Sequence, residues 1–210
     1  MTTPLSGRGE RGTRASLKQD YSAWLTPERL AVEDQQWGDP RLATWPIFVG
    51  WIKHVAREVE IVSVLEYGCG TGWVPRHLPP DMHYVGVDAN QYCLQLAMAR
   101  NPGRLFAFAD VRAALALTFD LACAFSFLKH FGLHEWDEVV AQVLRHGRYG
   151  LFTMPVGPET KDDGTEFPHV WVTEDRLRAA VNLAGHEVRH LARIQTGETM
   201  VVTRLVPREP

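Results

Sequence analysis

Three glycines in five positions, Gly68, Gly70 and Gly72, follow the aliphatic run of VLEYGCGTGW (64–73), and Glu66 stands two positions ahead of the first. A glycine loop at the carboxyl end of a first strand is where open α/β sheets bind ligands, with the next helix N-terminus pointing at the site. The dinucleotide fingerprint G-x-G-x-x-G wants its third glycine at position 73, where it lets the helix pack on the strand. Trp73 occupies that position. The pattern is instead E-x-G-x-G-x-G, and a carboxylate ahead of the glycines suits a ligand with a cationic amine and repels a pyrophosphate. Asp88 lies about 20 residues after Gly68, at the end of the next apolar run, where a carboxylate accepts both hydroxyls of a ribose. The third run ends in FADV, so Asp110 can accept from an adenine exocyclic amine while the Val111 N–H serves a ring nitrogen. Three acids at three successive strand ends describe a ligand with an amine, a ribose and an adenine, and no phosphate. Two of these positions keep a second reading: Gly72 as a helix start, and Asp110 as a cap for a helix after it.

Alternating strands and helices must position these residues. The runs IVSVLEY (61–67), HYVGVD (83–88), RLFAFAD (104–110), FDLACAF (119–125) and YGLFTMPV (149–156) are almost continuously apolar, as parallel strands buried on both faces are. Between them the sequence predicts a short helix after Gly72, then NQYCLQLAMAR opening on an Asn cap, then VRAALAL, then HEWDEVVAQVLRHG. This is an α/β sheet with right-handed crossovers. TEDRLRAAVNLAG reads as a helix capped by Thr173 and ended by Gly185. The runs HEVRHLARIQ and TMVVTRLV, joined by TGE, read as an antiparallel hairpin. Before the sheet, WPIFVGWIKHVAREV places Ile47, Trp51, His54 and Val55 at helical spacing, with Pro46 in the first turn.

These motifs resemble those of the class I S-adenosylmethionine-dependent methyltransferases. VLEYGCGTG looks like the family's first motif, YVGVDAN like the second, FAFADV like the third and FDLACAFSFLKHF like the fourth. The resemblance covers residues 60 to 155 by motif and extends to about 206 by topology. It implies a Rossmann-like seven-stranded mixed sheet of order 3-2-1-4-5-7-6 with strand 7 antiparallel. It also implies S-adenosyl-L-methionine as cofactor. By that resemblance Glu66, Gly68 and Gly70 face the methionine moiety, Asp88 the ribose, and Asp110 with Val111 the adenine, while Phe125 or Ser126 flank the sulfonium. Tyr67, Cys69, Gly72 and Ala89 complete the expected cofactor-binding set.

Methyl transfer is an in-line displacement from an activated donor, so the protein mainly positions the acceptor and excludes water. A general base helps only when the acceptor must lose a proton. His130, in SFLKHF after strand four, is the first choice for that base; its alternative is a loop histidine that shapes the pocket. Lys129 is expected to face solvent, and His134 to begin or cap the next helix. His169 and Trp171 fall in the long polar connection GPETKDDGTEFPHVWV, where the family often lines its acceptor pocket. Such a loop is either functional or disordered. Tyr21 and Trp24 could form part of an N-terminal lid, or be core aromatics.

Absences narrow the acceptor. No D/N-P-P-Y/F tetrapeptide follows strand four and no Pro-Cys dipeptide occurs, against DNA-base methylation of the usual types. Strand four ends in Ala124-Phe125-Ser126 without a carboxylate for magnesium, so no metal is expected. The net charge of −3 over 210 residues gives no electrostatic reason for a nucleic-acid partner. A small-molecule acceptor, O- or N-methylated, is the expected substrate. No apolar run approaches the ~18 residues of a membrane span. Cys69, Cys93 and Cys123 sit at spacings of neither a zinc site nor a disulfide framework and read as reduced core thiols of a cytoplasmic protein. The expected organisation is a disordered leader (1–19), an N-terminal helical segment (20–58) and a methyltransferase domain (59–210). Two competing functions remain: a catalytically inactive S-adenosylmethionine-binding module, and an NAD-binding Rossmann protein, which Glu66, Trp73 and the terminal hairpin oppose.

Overall fold

A computed structural model of the chain describes residues 26–39, 44–113, 116–159, 170–195 and 197–207. The apolar runs become strands β1 (Ser63–Tyr67), β2 (His83–Asp88), β3 (Leu105–Phe108), β4 (Phe119–Ala124) and β5 (Gly147–Met154), all parallel to one another. The tail forms a hairpin of β6 (His186–Arg193) and β7 (Thr199–Leu205). Strand β7 inserts between β5 and β6 and runs antiparallel to both. The sheet order is therefore 3-2-1-4-5-7-6.

Period-2 alternation sorts the strand residues onto two faces. Leu65, Tyr67, Val87, Ala124, Phe152 and Met154 share one core with helices α4 (Leu133–Leu144) and α5 (Glu174–Leu183), to which Trp136, Val140 and Leu177 belong. Val64, Tyr84, Leu121, Cys123 and Leu151 share the other with helix α2 (Trp45–Glu58). Helix α3 (Gln91–Arg100) opens on Asn90, whose side chain accepts from the Tyr92 and Cys93 N–H groups. Thr173 caps α5 in the same manner through Arg176 N–H, and Gly185 leaves it at φ +78°. All three cysteines are buried free thiols.

Three local expectations change. The stripe α2 buries is Phe48, Val49, Ile52 and Val55, one position away from the predicted Ile47/Trp51 stripe. His54 is exposed, and Trp51 packs against His190 of β6 at 5.2 Å. VRAALAL forms no helix among the described residues: 111–113 are a turn and 116–118 are irregular. Seven residues fall well below the ~12–15 at which a helix becomes stable without packing. After the glycine loop stands only a three-residue 3-10 turn, Pro75–His77, because Pro79 and Pro80 bar its extension. No α-helix N-terminus follows β1 to point at the loop.

Candidate functional site

The glycine loop is tied to the end of β2. Gly68 N–H and Cys69 N–H both donate to Val87 O, at 2.8 and 3.2 Å. Gly70 N–H donates to Asp88 Oδ2 at 2.9 Å and Asn90 N–H to Asp88 Oδ1 at 2.8 Å, so one carboxylate joins the loops after β1 and β2. Ala89 is half-buried between Asp88 and the cap Asn90.

The three glycines, all at positive φ, serve different ends. A Cβ on Gly68 would lie 2.3 Å from the Phe127 ring, and one on Gly72 would lie 2.6 Å from Asn101 Nδ2 and 2.9 Å from Ala97 Cβ. Gly72 thus lets α3 approach the loop, the packing duty that the missing glycine at 73 would have performed. A Cβ on Gly70 would meet nothing within 4 Å. At that point bare backbone faces open space, as close approach of a ligand requires.

Glu66 lies at the end of β1 on the α2 face, only 3% exposed. Tyr84 on the neighbouring strand donates its hydroxyl to Oε2. Burial, and secondarily the nearby Asp88, push the Glu66 carboxyl up to about 8 against the pull of that hydrogen bond. Gly86 makes this arrangement possible: a Cβ there would lie 2.9 Å from both the Tyr84 hydroxyl and the Cys69 sulfur. Burial also pushes the Cys69 thiol well up. Tyr67 points to the opposite face, where it bonds His146 Nδ1 at 3.0 Å, so only its backbone borders the loop.

Asp110 holds a turn. Its Oδ1 accepts from Arg112 N–H at 2.8 Å and its carbonyl from Ala113 N–H at 2.9 Å, while the Val111 side chain is buried in the core. Phe125 stacks on Phe48 of α2 at 4.3 Å. Ser126 donates its N–H to Thr153 Oγ1 at 2.7 Å. His130 closes the 3-10 turn Leu128–His130, half-buried. Trp171 lies over Gly157, whose Cβ would sit 3.0 Å from its ring, and Gly157 N–H donates to Val172 O at 3.0 Å. Tyr21, Trp24 and His169 lie outside the described residues.

Sequence reasoning misplaced one residue and missed others. Lys129 is not turned to solvent: it pairs with the buried Glu198 at 2.6 Å. His134 lies in the first turn of α4, whose N-cap is Gly132. Asp34, on helix α1 (Pro27–Gly38), accepts from Thr71 Oγ1 at 2.7 Å, Trp73 Nε1 at 3.1 Å and the Arg100 guanidinium. Burial of Asp34 is outweighed by these donors, and its carboxyl is held below the usual range. Asp34 thereby explains Trp73. The indole is a polar handle for α1, packed so closely that a Cβ on Gly38 would lie 2.9 Å from it, with Arg100 over its ring at 4.5 Å. Partners 37 to 66 positions apart leave no local signal, and Tyr84 is found opposite Glu66 only once the register Glu66↔Gly86 is known.

Residues 64–150 match the family model of a methyltransferase domain. No curated protein matches the chain. A magnesium protoporphyrin IX methyltransferase from Synechocystis PCC 6803, solved with bound SAH, is 16% identical and superposes with a TM-score of 0.72 over 90% of this chain and 100% of its own. A 1,6-didemethyltoxoflavin-N1-methyltransferase from Burkholderia thailandensis is 14% identical, with a TM-score of 0.66 over 99% and 94%. A cyclase is 16% identical, with a TM-score of 0.60 over 75% and 80%.

Proposed function

We propose that this chain, which carries a methyltransferase domain in the class I S-adenosylmethionine-dependent fold, transfers a methyl group from S-adenosylmethionine to a small-molecule acceptor without a metal. The observation that carries the reading is Asp88: one carboxylate at the end of β2, drawn against the Gly70 N–H beside a stretch of bare backbone open to a ligand. A carboxylate has about four acceptor positions, so it can hold Gly70 and Asn90 and still receive ribose hydroxyls.

When bound, the cofactor supplies a methyl on a sulfonium, activated for displacement without help from an acid. The chain's own residues bind and orient it. The open backbone at Gly70 receives the methionine portion, Asp88 the ribose, and Asp110 with the Val111 N–H the adenine. Glu66 stands beneath the loop, where a cationic amine draws its carboxyl toward the ionised form. Ser126 lies at the exit of β4 beside Phe127, which covers Gly68, and so borders the transfer point; Phe125 backs it through Phe48. His130, on the following turn, is assigned removal of the acceptor proton. Trp171, His169, Tyr21 and Trp24 are assigned to the acceptor side.

Titration calorimetry with S-adenosylmethionine and its demethylated product, with NAD as control, tests the reading. Binding of both in the micromolar range and none of NAD supports it; binding of neither ends it. The same fold occurs in a cyclase, which favours keeping one alternative, a cofactor-binding protein without methyl transfer. Transfer of a labelled methyl group to an acceptor pool separates the two. H130A is expected to slow turnover of a hydroxyl acceptor by about 100-fold or more with cofactor affinity unchanged; equal losses of both would make His130 structural.

A further inference from the structure

The carboxyl edge of the sheet is divided in two. The glycine loop, Asp88 and Asp110 lie over β1, β2 and β3. A separate set of side chains lies over β4, β5 and β7. Ser126, where the chain leaves β4, is the one non-glycine residue at positive φ among the described residues, at +49°. Strain of that kind gathers at ligand sites and persists only where the surroundings hold it. Here Thr153 holds the Ser126 N–H, and the Ser126 hydroxyl lies 3.2 and 3.4 Å from the two Glu198 oxygens. Lys129 donates to Glu198 Oε1 at 2.6 Å.

The side chains of Lys129 and Glu198 are 18% and 7% exposed. An ammonium carries three N–H donors, and Glu198 is the one acceptor for Lys129 among the described residues. Two donors of a largely buried cation are costly to leave without an oxygen. Glu198 is already engaged by both Lys129 and Ser126, so what the cluster offers to an incoming molecule is donors and positive charge. Phe127, next to Ser126 in the chain, packs over Gly68, and Val170 N–H donates to Lys129 O at 2.9 Å, which ties the segment before Trp171 to this turn.

We propose that Lys129, fixed in place by Glu198, forms a subsite for an acidic group of the acceptor, a carboxylate or phenolate. That the occupant is a methyl acceptor rests on the function proposed above; the anion subsite itself does not.

The test titrates benzoate, with benzamide as neutral control, into the full chain saturated with the demethylated cofactor, read by amide chemical shifts. The expected result is saturable benzoate binding whose shifts centre on Ser126–His130 and Val170–Val172, with benzamide at least ten-fold weaker. K129R retains the binding. K129Q/E198Q, which removes both charges and so leaves no lone buried carboxylate, weakens it at least ten-fold with cofactor affinity unchanged. No saturable binding, equal binding of benzamide, shifts centred elsewhere, or full binding by the double variant would each overturn the proposal. The wild-type shift map decides should the double variant fail to fold. Cofactor affinity is read in the same samples: if the demethylated cofactor does not bind, the methyl-transfer reading fails, and benzoate on the free protein still tests Lys129.

Discussion

At the level of single residues, Glu66 and Asp88 are both acids at strand ends, yet their surroundings set them to different tasks. Asp88 is half-buried and held by two backbone N–H groups. D88A is expected to weaken cofactor binding by about 1.5–3 kcal/mol through lost charged hydrogen bonds; unchanged affinity by calorimetry would remove Asp88 from the ribose site. Glu66 is protonated at neutral pH, its carboxyl lying at about 8 in the fold. A cationic ligand that lowers this value expels a proton, so binding at pH 7 is expected to release protons and to tighten as pH rises toward 8. Calorimetry in buffers of differing ionisation heat reads this directly, and E66Q abolishes it. Stability follows the same group. With the folded value raised above the ordinary carboxyl value of 4.5, the folded state holds the extra proton between them. The Glu66 contribution is therefore fully present below pH 4.5 and lost as pH rises through 8. E66Q should flatten melting temperature across that window; an unchanged slope would mean that Glu66 is ionised throughout. Both acids were legible in the sequence as positions, because strand ends and glycine spacing mark them. The raised Glu66 carboxyl was not, since it depends on burial that outweighs the Tyr84 hydrogen bond and that no neighbouring residue encodes.

Among the elements, helix α1 does more than cover the sheet. Its Asp34 gathers a hydroxyl and an indole N–H from the glycine loop and a guanidinium from α3, so loop, α1 and α3 are fastened at one carboxylate. D34A is expected to cost about 1–3 kcal/mol by leaving those donors without a partner. It should also speed amide exchange across Pro27–Gly38 and weaken cofactor binding. Unchanged exchange in α1 would show that the helix docks by packing alone. Strands, the Asn90 and Thr173 caps and the closing hairpin were readable because each rests on residues close in sequence. VRAALAL was misread because alanine and leucine propensity was credited without a packing partner, and the α2 stripe shifted because Ile47 and Trp51 pack only at the margin of that core, partly buried. Lys129 was misread for a different reason: its partner lies 69 residues away, a distance over which sequence alone carries no pairing signal.

For the molecule as a whole, a ligand that binds only the folded chain must raise its melting temperature. At 100 times its dissociation constant the demethylated cofactor should add about 2.7 kcal/mol, or about 5–11 °C for a chain of this size, and NAD should add nothing. Thermal scans with both ligands check this in an afternoon. The order 3-2-1-4-5-7-6 was implied by the resemblance of four motifs to a known family and is the order found; the runs themselves marked parallel strands and a closing hairpin but not their order. Strand β7 follows β6 in the chain yet occupies an interior place between β5 and β6 and brings Glu198 to Lys129. A growing chain on the ribosome can thus assemble β1 to β5 with the glycine loop, Asp88 and Asp110 while the other half of the edge does not yet exist. Until β7 is laid in, Lys129 has no counter-charge and β5 presents an unpaired edge. On the function proposed above, completion of the sheet and completion of the acceptor side are one event, so a chain stalled before residue 198 could hold the donor without holding anything to give the methyl to.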